Sequence, residues 1–457
     1  MKENLQKRIG NKSILILGFG REGQSTYHLL RKYFPLQKLA IADENEAVAE
    51  KVIQLKDANL IFFSGKNFLD SANQYDLIFK TPGIPFKKIK HLVPANRITS
   101  QTDFFIQLFS EQIVGVTGTK GKSTTSSLIY HILKQYTENT IFVGNIGIPH
   151  FDMIEKIDSQ TKIVCELSSH QLEFISKAPA VSVLLNLFQE HLDHYESLEQ
   201  YHLSKLNSLK FQNENDSFIY HADDLLILEY LKKFNLKRNY FSYSLNHSVE
   251  KGCFVNEGKI IFQKKNDKKI FDVIDKCQLR GSHNLLNIMA AINVCQILKI
   301  PDSVIQDAII SFKGLEHRLE YVGLYNNIHF YNDSIATIPE ATIQAVKSLN
   351  NVNTLILGGF DRGIDYSILS EFLCKNPIEH LIFLGKAGKR ISEELKKGNC
   401  NSEIFFVNSM EEAVSISMKE TKQGAVCLLS PAAASYDMFK DFADRGDTYK
   451  KTIRSIG

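Results

Sequence analysis

Short apolar runs alternate with amphipathic stretches along the whole chain, and this alternation constrains the fold more than any other feature. The runs fall into three series, which begin with SILILG (13–18), QIVGVTG (112–118) and NIHFYND (327–333). Strands that are separated by helices form parallel sheets covered by helices on both faces. The sequence therefore predicts an α/β protein with three domains.

The predicted domain boundaries lie near residues 101 and 312, where SQTDFF and FKGLEHR interrupt the alternation. We expect domains at 1–101, 102–312 and 313–457, because a domain usually spans about 150 residues. Between about 217 and 275 the pattern becomes hairpin-like, as in CFVNEGKIIFQ. This segment predicts a β-rich insertion in the middle domain.

The charge balance does not favour a nucleic-acid-binding protein. The 457 residues include 54 basic and 51 acidic residues, with a formal net charge of +3 and scattered lysines. The seven cysteines form no CxxC pair, which argues against a zinc site and a disulfide framework and favours a reducing compartment. The chain has no apolar signal core and no apolar run of 18 residues, so we expect a cytoplasmic protein without a membrane span.

The first predicted strand is followed by a glycine-rich turn, GFGREG, that opens a helix. Gly18, Gly20 and Gly23 match the GxGxxG pattern, and Asp43 follows at the end of the second predicted strand. Such a turn holds a pyrophosphate at the helix N-terminus, and the acid contacts a ribose hydroxyl. The pattern leaves open a tight turn without a ligand, a nucleoside-diphosphate site, or the NAD site of an oxidoreductase.

The segment GVTGTKGKST (115–124) predicts a phosphate-binding loop between a strand and a helix. Lys122 would neutralise charge on the β- and γ-phosphates of a nucleotide, and Ser123 would bind magnesium. The strict GxxxxGK pattern requires glycine where this chain has Val116, so the match depends on GTKGKS. A glycine-rich turn with an incidental lysine is the alternative.

Three further side chains are candidate metal ligands. Glu166 ends an apolar strand at the edge where parallel sheets bind ligands, and His191 follows another strand. Lys205 lies in the stripe of a predicted helix, although burying an ammonium group is costly and lowers its pKa. Its head group either reaches water or, as a neutral amine, captures carbon dioxide to form a carbamate that binds a metal beside His191.

Polar pairs mark the second boundary and its surroundings. His283–Asn284 opens a helix, His317–Arg318 lies at the boundary, and Asp333–Ser334 ends the first strand of the last series. Each pair alone is consistent with a helix cap or a surface ion pair. Together they predict a nucleotide contact that closes over the middle domain.

The order of these motifs resembles that of the Mur ligase family, ATP-dependent amide ligases of cell-wall precursor synthesis. Matching segments run through almost the entire chain: GTKGKST, GNIG, ELSSHQLE, EHLDHY, YHLSKL, GSHN, HRLE, NDSIAT, GGFDRG and SPAAASYDMFKDFADRG. The likeness is greatest to the members that add D-glutamate to UDP-N-acetylmuramoyl-L-alanine, because of GFGREGQST, TPGI and SYDMFKDFADRG. The resemblance implies a Rossmann-like UDP-sugar domain, a central ATPase-like domain and a Rossmann-like amino-acid domain.

The resemblance also implies a reaction. ATP phosphorylates the alanine carboxylate of the nucleotide sugar, and the amine of D-glutamate attacks the resulting acyl phosphate. Two magnesium ions are implied, one held by Ser123 and Glu166 and the other by His191 and a carbamate on Lys205. The implied partners are these three small molecules, without nucleic acid or membrane, and a monomer is expected.

The resemblance implies four groups of site residues. The catalytic residues are Lys122, Glu166, His191 and Lys205. The nucleotide-binding residues are Gly118, Thr119, Lys120, Gly121, Lys122, Ser123, Thr124, Asn284, Arg318 and Asp333. The nucleotide-sugar residues are Gly18, Gly20, Arg21, Glu22, Gly23, Asp43, Thr81, Gly83 and Asn145. The amino-acid residues are Thr337, Arg362, Ser435, Tyr436 and Phe442.

Two departures affect the expected amino-acid pocket. Much of this subfamily carries a lysine where this chain has Ile335, and another where it has Arg362. The loss of one charged hydrogen bond costs about 1.5–3 kcal/mol unless it is replaced. Arg362 replaces the second lysine, since a guanidinium group binds a carboxylate through two hydrogen bonds. A related ligase that adds a different amino acid therefore stays an alternative, as does the NAD-dependent oxidoreductase.

Overall fold

The computed structural model describes residues 2–145, 148–190, 194–398 and 400–456. The chain separates into two compact units. Met1–Cys277 and Ser282–Ile310 form the first unit, and Gln278–Gly281 and Ser311–Gly457 form the second. The predicted α/β class is confirmed, because three sheets dominated by parallel strands alternate with helices. The domain boundaries at 101 and 312 stay a prediction.

The first sheet has five parallel strands in the order β3-β2-β1-β4-β5. The strands are Ile14–Leu17 (β1), Leu39–Asp43 (β2), Leu60–Ser64 (β3), Leu77–Lys80 (β4) and Ile98–Thr99 (β5). The helices are Lys2–Ile9 (α1), Arg21–Tyr33 (α2) and Val48–Gln54 (α3), with 3-10 helices at Phe68–Gln74, Phe86–Lys88 and Ala95–Arg97. The central strand β1 is completely buried, as the apolar run ILIL predicts.

The second sheet belongs to the same unit and has nine strands in the order β14-β13-β12-β11-β10-β9-β6-β8-β7. The strands are Ile113–Thr117 (β6), Thr140–Gly144 (β7), Lys162–Glu166 (β8), Val181–Leu184 (β9), Ser217–His221 (β10), Asn239–Ser244 (β11), Lys251–Asn256 (β12), Lys259–Lys264 (β13) and Asp267–Phe271 (β14). The β-rich segment predicted between 217 and 275 extends this sheet, and it ends in an antiparallel β12-β13-β14 meander.

Helices cover both faces of the second sheet, as its alternating sequence pattern predicts. They are Gln101–Phe109 (α4), Lys122–Tyr136 (α5), Ser169–Leu172 (α6), Leu198–Lys210 (α7), Leu225–Phe234 (α8), Ser282–Ile297 (α9) and Asp302–Ser311 (α10), with 3-10 helices at Ser110–Gln112 and His150–Lys156. Helices α5 and α9 pack against each other, so side chains on α9 come close to the start of α5.

The second unit contains a six-stranded sheet in the order β15-β16-β20-β17-β18-β19, in which only β15 and β16 are antiparallel. The strands are Glu320–Tyr325 (β15), Ile328–Asn332 (β16), Val352–Gly358 (β17), His380–Leu384 (β18), Glu403–Val407 (β19) and Val426–Leu429 (β20). The helices are Pro339–Ser348 (α11), Ser367–Lys375 (α12), Gly385–Lys396 (α13), Met410–Glu420 (α14) and Phe442–Ile456 (α15). Among the described helices of both units, none is long and apolar enough to cross a membrane.

The cysteine spacing argues against a disulfide framework, and the described part of the chain contains one disulfide. Cys374 and Cys400 form a disulfide, with their Cα atoms 4.6 Å apart, whereas Cys165, Cys253, Cys277, Cys295 and Cys427 are buried free thiols. The end of α12 lies beside the segment that leads into β19. A separation of 26 residues along the chain gives no sign of this proximity.

Candidate active site

The phosphate loop connects β6 to α5, as predicted, and its glycines are required by its backbone. Gly118 has φ +152° and Gly121 has φ +85°, conformations that other residues rarely adopt. A Cβ atom on Gly121 would also lie 2.6 Å from the Asn287 side-chain oxygen on α9. Helix α5 begins directly after this loop at Lys122, so its first backbone N–H groups would point toward an anion in the loop.

Two lysine ammonium groups converge on one carbonyl oxygen of this loop. The Lys122 Nζ donates to the carbonyls of Gly118 (2.8 Å) and Thr119 (2.9 Å). The Lys205 Nζ donates to the Gly118 carbonyl at 2.9 Å, although α7 is 87 residues further along the chain. The structure thus brings together the lysine of the loop and the lysine of the helical stripe.

Lys205 is only 1% exposed, and its ammonium group lies 4.9 Å from the centre of the Tyr201 ring. Burial lowers the pKa of Lys205 well below its usual value, and the neighbouring charge of Lys122 lowers it further. Glu190 and Glu166 act in the opposite direction. The neutral amine is therefore far more accessible here than on a surface lysine.

The other side chains of the loop fasten it to the segment after β9. The Thr119 hydroxyl lies 3.0 Å from the Tyr201 hydroxyl and accepts the Phe188 N–H at 2.9 Å. Lys120 forms an ion pair with Glu190, and its N–H donates to the Asn186 side chain at 2.8 Å. Ser123 is half-buried and Thr124 is buried, both in the first turn of α5.

Glu166 ends β8 and is completely buried beside the phosphate loop. Its Oε1 accepts a hydrogen bond from the Asn145 side-chain amide at 2.8 Å, and its Oε2 lies 3.5 Å from the Ser126 hydroxyl on α5. In the described ranges, no group of three or more His, Cys, Asp or Glu residues is arranged to hold a metal ion. The predicted ligand His191 lies outside the described residues.

The glycine turn after β1 requires two of its three glycines, Gly18 and Gly23. Gly18 has φ +90°, and a Cβ atom there would lie 2.1 Å from the Thr81 hydroxyl oxygen. A Cβ atom on Gly23 would lie 2.1 Å from the Gly18 carbonyl, whereas one on Gly20 would meet nothing within 4 Å. Asp43 accepts the Phe19 N–H at 2.7 Å through Oδ2, so this carboxylate fixes the turn.

A cavity of about 440 Å³ lies beside the glycine turn. Of the nine residues predicted for the nucleotide sugar, the structure brings eight together on its wall: Gly18, Gly20, Arg21, Glu22, Asp43, Thr81, Gly83 and Asn145. Gln171 also lines the cavity and donates to Glu22 Oε1 at 2.7 Å. Burial raises the pKa of Glu22, against the lowering effects of Gln171 and Lys80.

Sequence reasoning missed Lys80, the last residue of β4. It is only 2% exposed, and its ammonium group donates to the carbonyls of Ile84 (2.7 Å) and Thr81 (3.3 Å). Glu173 lies 3.5 Å from the same nitrogen. The available signal was a lysine at the end of the apolar run YDLIFK, directly before the turn TPGI; a lysine at a strand end is more commonly solvated.

Asn284 on α9 is connected to the start of α5 by two hydrogen bonds, with the side chain of Asn287 between them. Asn284 is buried, and its oxygen accepts a hydrogen bond from the Asn287 amide at 3.2 Å. The Asn287 oxygen in turn accepts from the Thr125 hydroxyl at 3.1 Å. These two hydrogen bonds connect Asn284, a predicted nucleotide-binding residue, to Thr125 in the helix that follows the phosphate loop.

In the second unit, Asp333 follows β16 and is buried at the carboxyl edge of the sheet. Its Oδ1 accepts the Leu319 N–H at 3.0 Å, and its Oδ2 accepts the Ser430 hydroxyl at 2.8 Å. Burial raises the pKa of Asp333 to about 7, although both hydrogen bonds and Arg318 lower it. The Nε of Arg318 is buried without a hydrogen-bond partner among the described residues.

The predicted amino-acid residues lie on loops of the second unit. Arg362 donates to the Thr337 carbonyl at 3.0 Å, and Ser435 is buried. Tyr436 is 67% exposed, and Phe442 is also exposed. Arg362 and Thr337 are thus joined by a hydrogen bond, while the side chains of Tyr436 and Phe442 are exposed to solvent.

A second missed residue, Arg445, organises these loops. Its guanidinium group is 1% exposed and donates to the Ser334 hydroxyl (2.9 Å), the Ser334 carbonyl (2.8 Å) and the Ala433 carbonyl (3.1 Å). It thereby joins the segments that follow β16 and β20. The segment ADRG near the end of the chain gave no sign that its arginine is the largest completely buried side chain.

Comparison with known proteins identifies two family domains in this chain. The family model described as Mur ligase middle domain matches residues 116–295, and the model described as Mur ligase, glutamate ligase domain matches residues 317–433. The UDP-N-acetylmuramoylalanine--D-glutamate ligase of Clostridium tetani is 34% identical over 99% of this chain and 98% of its own length. The enzyme of that name from Clostridioides difficile is also 34% identical, over 97% of this chain and 99% of its own.

Solved structures share the fold at lower identity. UDP-N-acetylmuramate-alanine ligase from Thermotoga maritima aligns with a TM-score of 0.57 and 18% identity, covering 98% of this chain and 100% of its own. MurF from Acinetobacter baumannii aligns with a TM-score of 0.63 and 13% identity, covering 99% and 98%. The full-length similarity to curated relatives, together with the two matched domains, shows that this chain belongs to the Mur ligase family of ATP-dependent ligases.

Proposed function

We propose that this protein joins D-glutamate to the alanine carboxyl group of UDP-N-acetylmuramoyl-L-alanine, in the cytoplasmic synthesis of peptidoglycan precursors. Curated relatives that carry the name of this activity are 30–34% identical over nearly the full chain. The observation that carries the proposal is the convergence of Lys122 and the buried Lys205 on the Gly118 carbonyl. This arrangement places a lysine that can neutralise phosphate charge beside a buried amine that can form a carbamate, and both suit the transfer of a phosphoryl group, which is the activating step.

Activation is necessary because direct attack of an amine on a carboxylate would expel oxide. In the proposed reaction, a carboxylate oxygen of the nucleotide sugar bonds to the γ-phosphorus of ATP while the bond to the ADP oxygen breaks. The D-glutamate nitrogen then attacks the carbonyl carbon of the acyl phosphate and loses a proton, and orthophosphate leaves. Lys122 would neutralise charge on the γ-phosphoryl group, since its ammonium group already lies at the loop carbonyls of Gly118 and Thr119.

Lys205 is proposed to act as a carbamate. Its neutral amine would bond to the carbon of carbon dioxide and lose a proton, which converts a buried cation into a carboxylate-like ligand. The low pKa of Lys205 and its 1% exposure support this role. A free ammonium group would place a third positive charge beside Lys120 and Lys122.

The side chains near the loop fit magnesium, which prefers oxygen ligands and usually takes only one or two carboxylates besides phosphate. Ser123 and Glu166 would hold one ion, and the Lys205 carbamate with His191 would hold the other. Bound magnesium would neutralise charge on the transferring phosphoryl group. Asn145 keeps Glu166 oriented, because its amide donates to Glu166 Oε1.

Each of three regions of the chain would bind a different substrate. We propose that 1–101 binds the UDP-sugar, 102–312 binds ATP, and 313–457 binds the amino acid. Gly118 to Thr124, Asn284, Arg318 and Asp333 would contact the nucleotide. Thr337, Arg362, Ser435, Tyr436 and Phe442 would contact D-glutamate, with Arg362 bound to its side-chain carboxylate. A monomer suffices for this scheme.

The test is phosphate release with ATP, magnesium, the nucleotide sugar and each of a panel of D- and L-amino acids. We expect release only with all components, and fastest with D-glutamate. Preference for another amino acid would instead support a related ligase, as the aliphatic Ile335 allows. In a second measurement the alanine carboxylate is labelled with ¹⁸O, and one label should appear in the released phosphate. Unlabelled phosphate would overturn the acyl-phosphate step.

A further inference from the structure

We propose that Lys80 is a positioning residue for the nucleotide-sugar cavity, which holds the turn Thr81–Ile84 as one wall of that cavity and thereby sets the affinity for the UDP-sugar. The inference rests on the function proposed above for this cavity. Lys80 itself does not line the cavity, whereas Thr81, Gly83 and Ile84 do.

The ammonium group of Lys80 has three partners: two carbonyl oxygens that accept hydrogen bonds and one carboxylate that forms an ion pair. Two acceptors are the carbonyls at the two ends of the turn, Thr81 at 3.3 Å and Ile84 at 2.7 Å. The third is the Glu173 carboxylate at 3.5 Å. Because the carbonyls of both ends bind one cation, the turn cannot open without breaking a charged hydrogen bond in a buried place.

Glu173 provides the counter-charge from the segment that follows helix α6 in the same unit. It follows α6, and its side chain is 9% exposed, while that of Lys80 is 1% exposed. The Lys80 nitrogen also lies 5.4 Å from the centre of the Phe174 ring. A buried charge of this kind needs partners on all sides, and here the partners fasten the turn of the first sheet to the segment after α6.

The turn held by Lys80 meets the glycine turn directly. The N–H and the hydroxyl of Thr81 both donate to the Leu17 carbonyl at 3.0 Å, at the end of β1. The Thr81 hydroxyl also fills the space that a side chain on Gly18 would need. A shift of the turn Thr81–Ile84 would therefore change the shape of the cavity at the place where this turn faces the glycine turn after β1.

The function of Lys80 can be separated from that of the phosphate loop. Among the described residues, Lys80 contacts the turn carbonyls, Glu173 and the Phe174 ring, and its charge also acts on Glu22 in the nucleotide-sugar cavity. Loss of Lys80 should thus raise KM for the nucleotide sugar and leave KM for ATP nearly unchanged. A residue that only stabilises the fold would shift Tm without this selectivity.

The experiment compares Lys80→Met with the double variant Lys80→Met/Glu173→Gln. Methionine has a similar length but no charge, so the single variant leaves Glu173 buried without its cation. The double variant removes both charges, and the turn carbonyls still lack their donor. Lys32→Met is the matched control, because Lys32 forms an ion pair with Glu155 at an exposed position.

For both Lys80 variants we expect KM and Kd for UDP-N-acetylmuramoyl-L-alanine to rise about tenfold or more, as the loss of one charged hydrogen bond predicts. KM for ATP should change less than about threefold, and Lys32→Met should behave like the unmodified protein. The double variant should recover much of the Tm lost by Lys80→Met but not the affinity. If Lys80→Met does not fold, the double variant alone decides.

The inference is overturned if the double variant recovers Tm and nucleotide-sugar affinity together, or if Lys80→Met binds the nucleotide sugar normally. Calorimetry measures whether the unmodified protein binds the nucleotide sugar, and this distinguishes a failure of the Lys80 inference from a failure of the proposed function. Absence of any nucleotide-sugar binding by the unmodified protein would overturn the proposed function of the cavity. Normal binding there, with normal binding by both variants, would overturn only the role of Lys80.

Discussion

The first unit contains two loops built in the same way, a strand, a glycine-rich turn and a helix, yet the two loops differ in where their positive charge lies. In the phosphate loop, the ammonium groups of Lys122 and Lys205 occupy the loop itself and bind its Gly118 carbonyl. The glycine turn borders a cavity of about 440 Å³, and the buried cation Lys80 lies behind its wall. The same local geometry therefore holds two lysine side chains within one loop, whereas the other loop borders an open cavity that Arg21, Glu22 and Asp43 also line.

This difference separates two ways of binding phosphate groups. During phosphoryl transfer negative charge is redistributed over the phosphoryl oxygens and the leaving oxygen of ADP, so a lysine that contacts these oxygens lowers the barrier. A diphosphate that only anchors the substrate needs backbone N–H groups and a wall that fits. Substitutions in the phosphate loop should therefore mainly lower kcat, whereas substitutions in the glycine turn should mainly raise KM for the nucleotide sugar.

The largest effect is expected for Lys122→Ala. Removing a group that stabilises transition-state charge should lower kcat by about 10²–10³-fold or more, while the fold is retained. Phosphate release and circular dichroism would measure the two quantities. Lys134→Ala is the matched control on the same helix, since Lys134 pairs with Glu138 at the surface. A kcat for Lys122→Ala within a few-fold of the control would contradict the charge role of this loop.

Lys205→Ala should have the next largest effect. If the carbamate holds a magnesium ion, its loss should lower kcat by about 10²-fold, and added acetate or another short carboxylic acid should restore part of it. The substitution also leaves a cavity near Tyr201 that such an acid can enter. Lys210→Ala, at an exposed position of the same helix, should show neither loss nor rescue. Full activity of unrescued Lys205→Ala would exclude the ligand role.

The sequence predicted most of the parallel strands in the three sheets, because their apolar runs are short and bounded by turns, but it did not identify the short strand β5 or the antiparallel strand β15. It also predicted both glycine loops, since a loop motif is a local pattern whose residues stay neighbours in space. Lys205 was recognised as unusual by its helical stripe, but only the structure brings it to Gly118, 87 residues away. Contacts between distant segments depend on the packing of sheets, which the pattern of one segment does not contain.

The same limit explains the missed residues. Lys80 and Arg445 read as ordinary charged residues, because burial of a charge depends on carbonyls and carboxylates that distant segments supply. The pairing of Cys374 with Cys400 was missed for the same reason. In the amino-acid region, Ile335 and Arg362 could be identified as departures, but the effect of each depends on a pocket formed by several loops.

Gly18→Ala and Gly20→Ala test whether the glycine turn acts through shape. Alanine at position 18 would be strained at φ +90° and would place its Cβ atom 2.1 Å from the Thr81 hydroxyl, so the cavity wall must move. We expect KM for the nucleotide sugar to rise about tenfold or more, with kcat at saturation reduced far less. Position 20 has open space around its Cβ atom. Equal behaviour of the two variants in Tm and KM would contradict the packing argument.

The smallest expected effect concerns the pH dependence of nucleotide-sugar binding. Glu22 lines the cavity, and burial raises its pKa above the ordinary value of 4.5. Below this raised pKa the side chain is neutral, and above it the carboxylate faces the negative diphosphate. Binding should therefore weaken as pH rises through the raised pKa. Two unit charges about 4 Å apart in water interact by about 1 kcal/mol, so KM should rise about fivefold.

Glu22→Gln separates this charge effect from the other titrations of enzyme and substrate. The amide keeps the shape of the side chain but carries no charge at any pH, so the KM of this variant should stay nearly constant where that of the unmodified protein rises. Lys122→Ala should leave the pH dependence of KM unchanged, because its charge acts on the other loop. A pH profile of KM that Glu22→Gln does not flatten would mean that charge has no part in the glycine turn, and the contrast between the two loops would become sharper still.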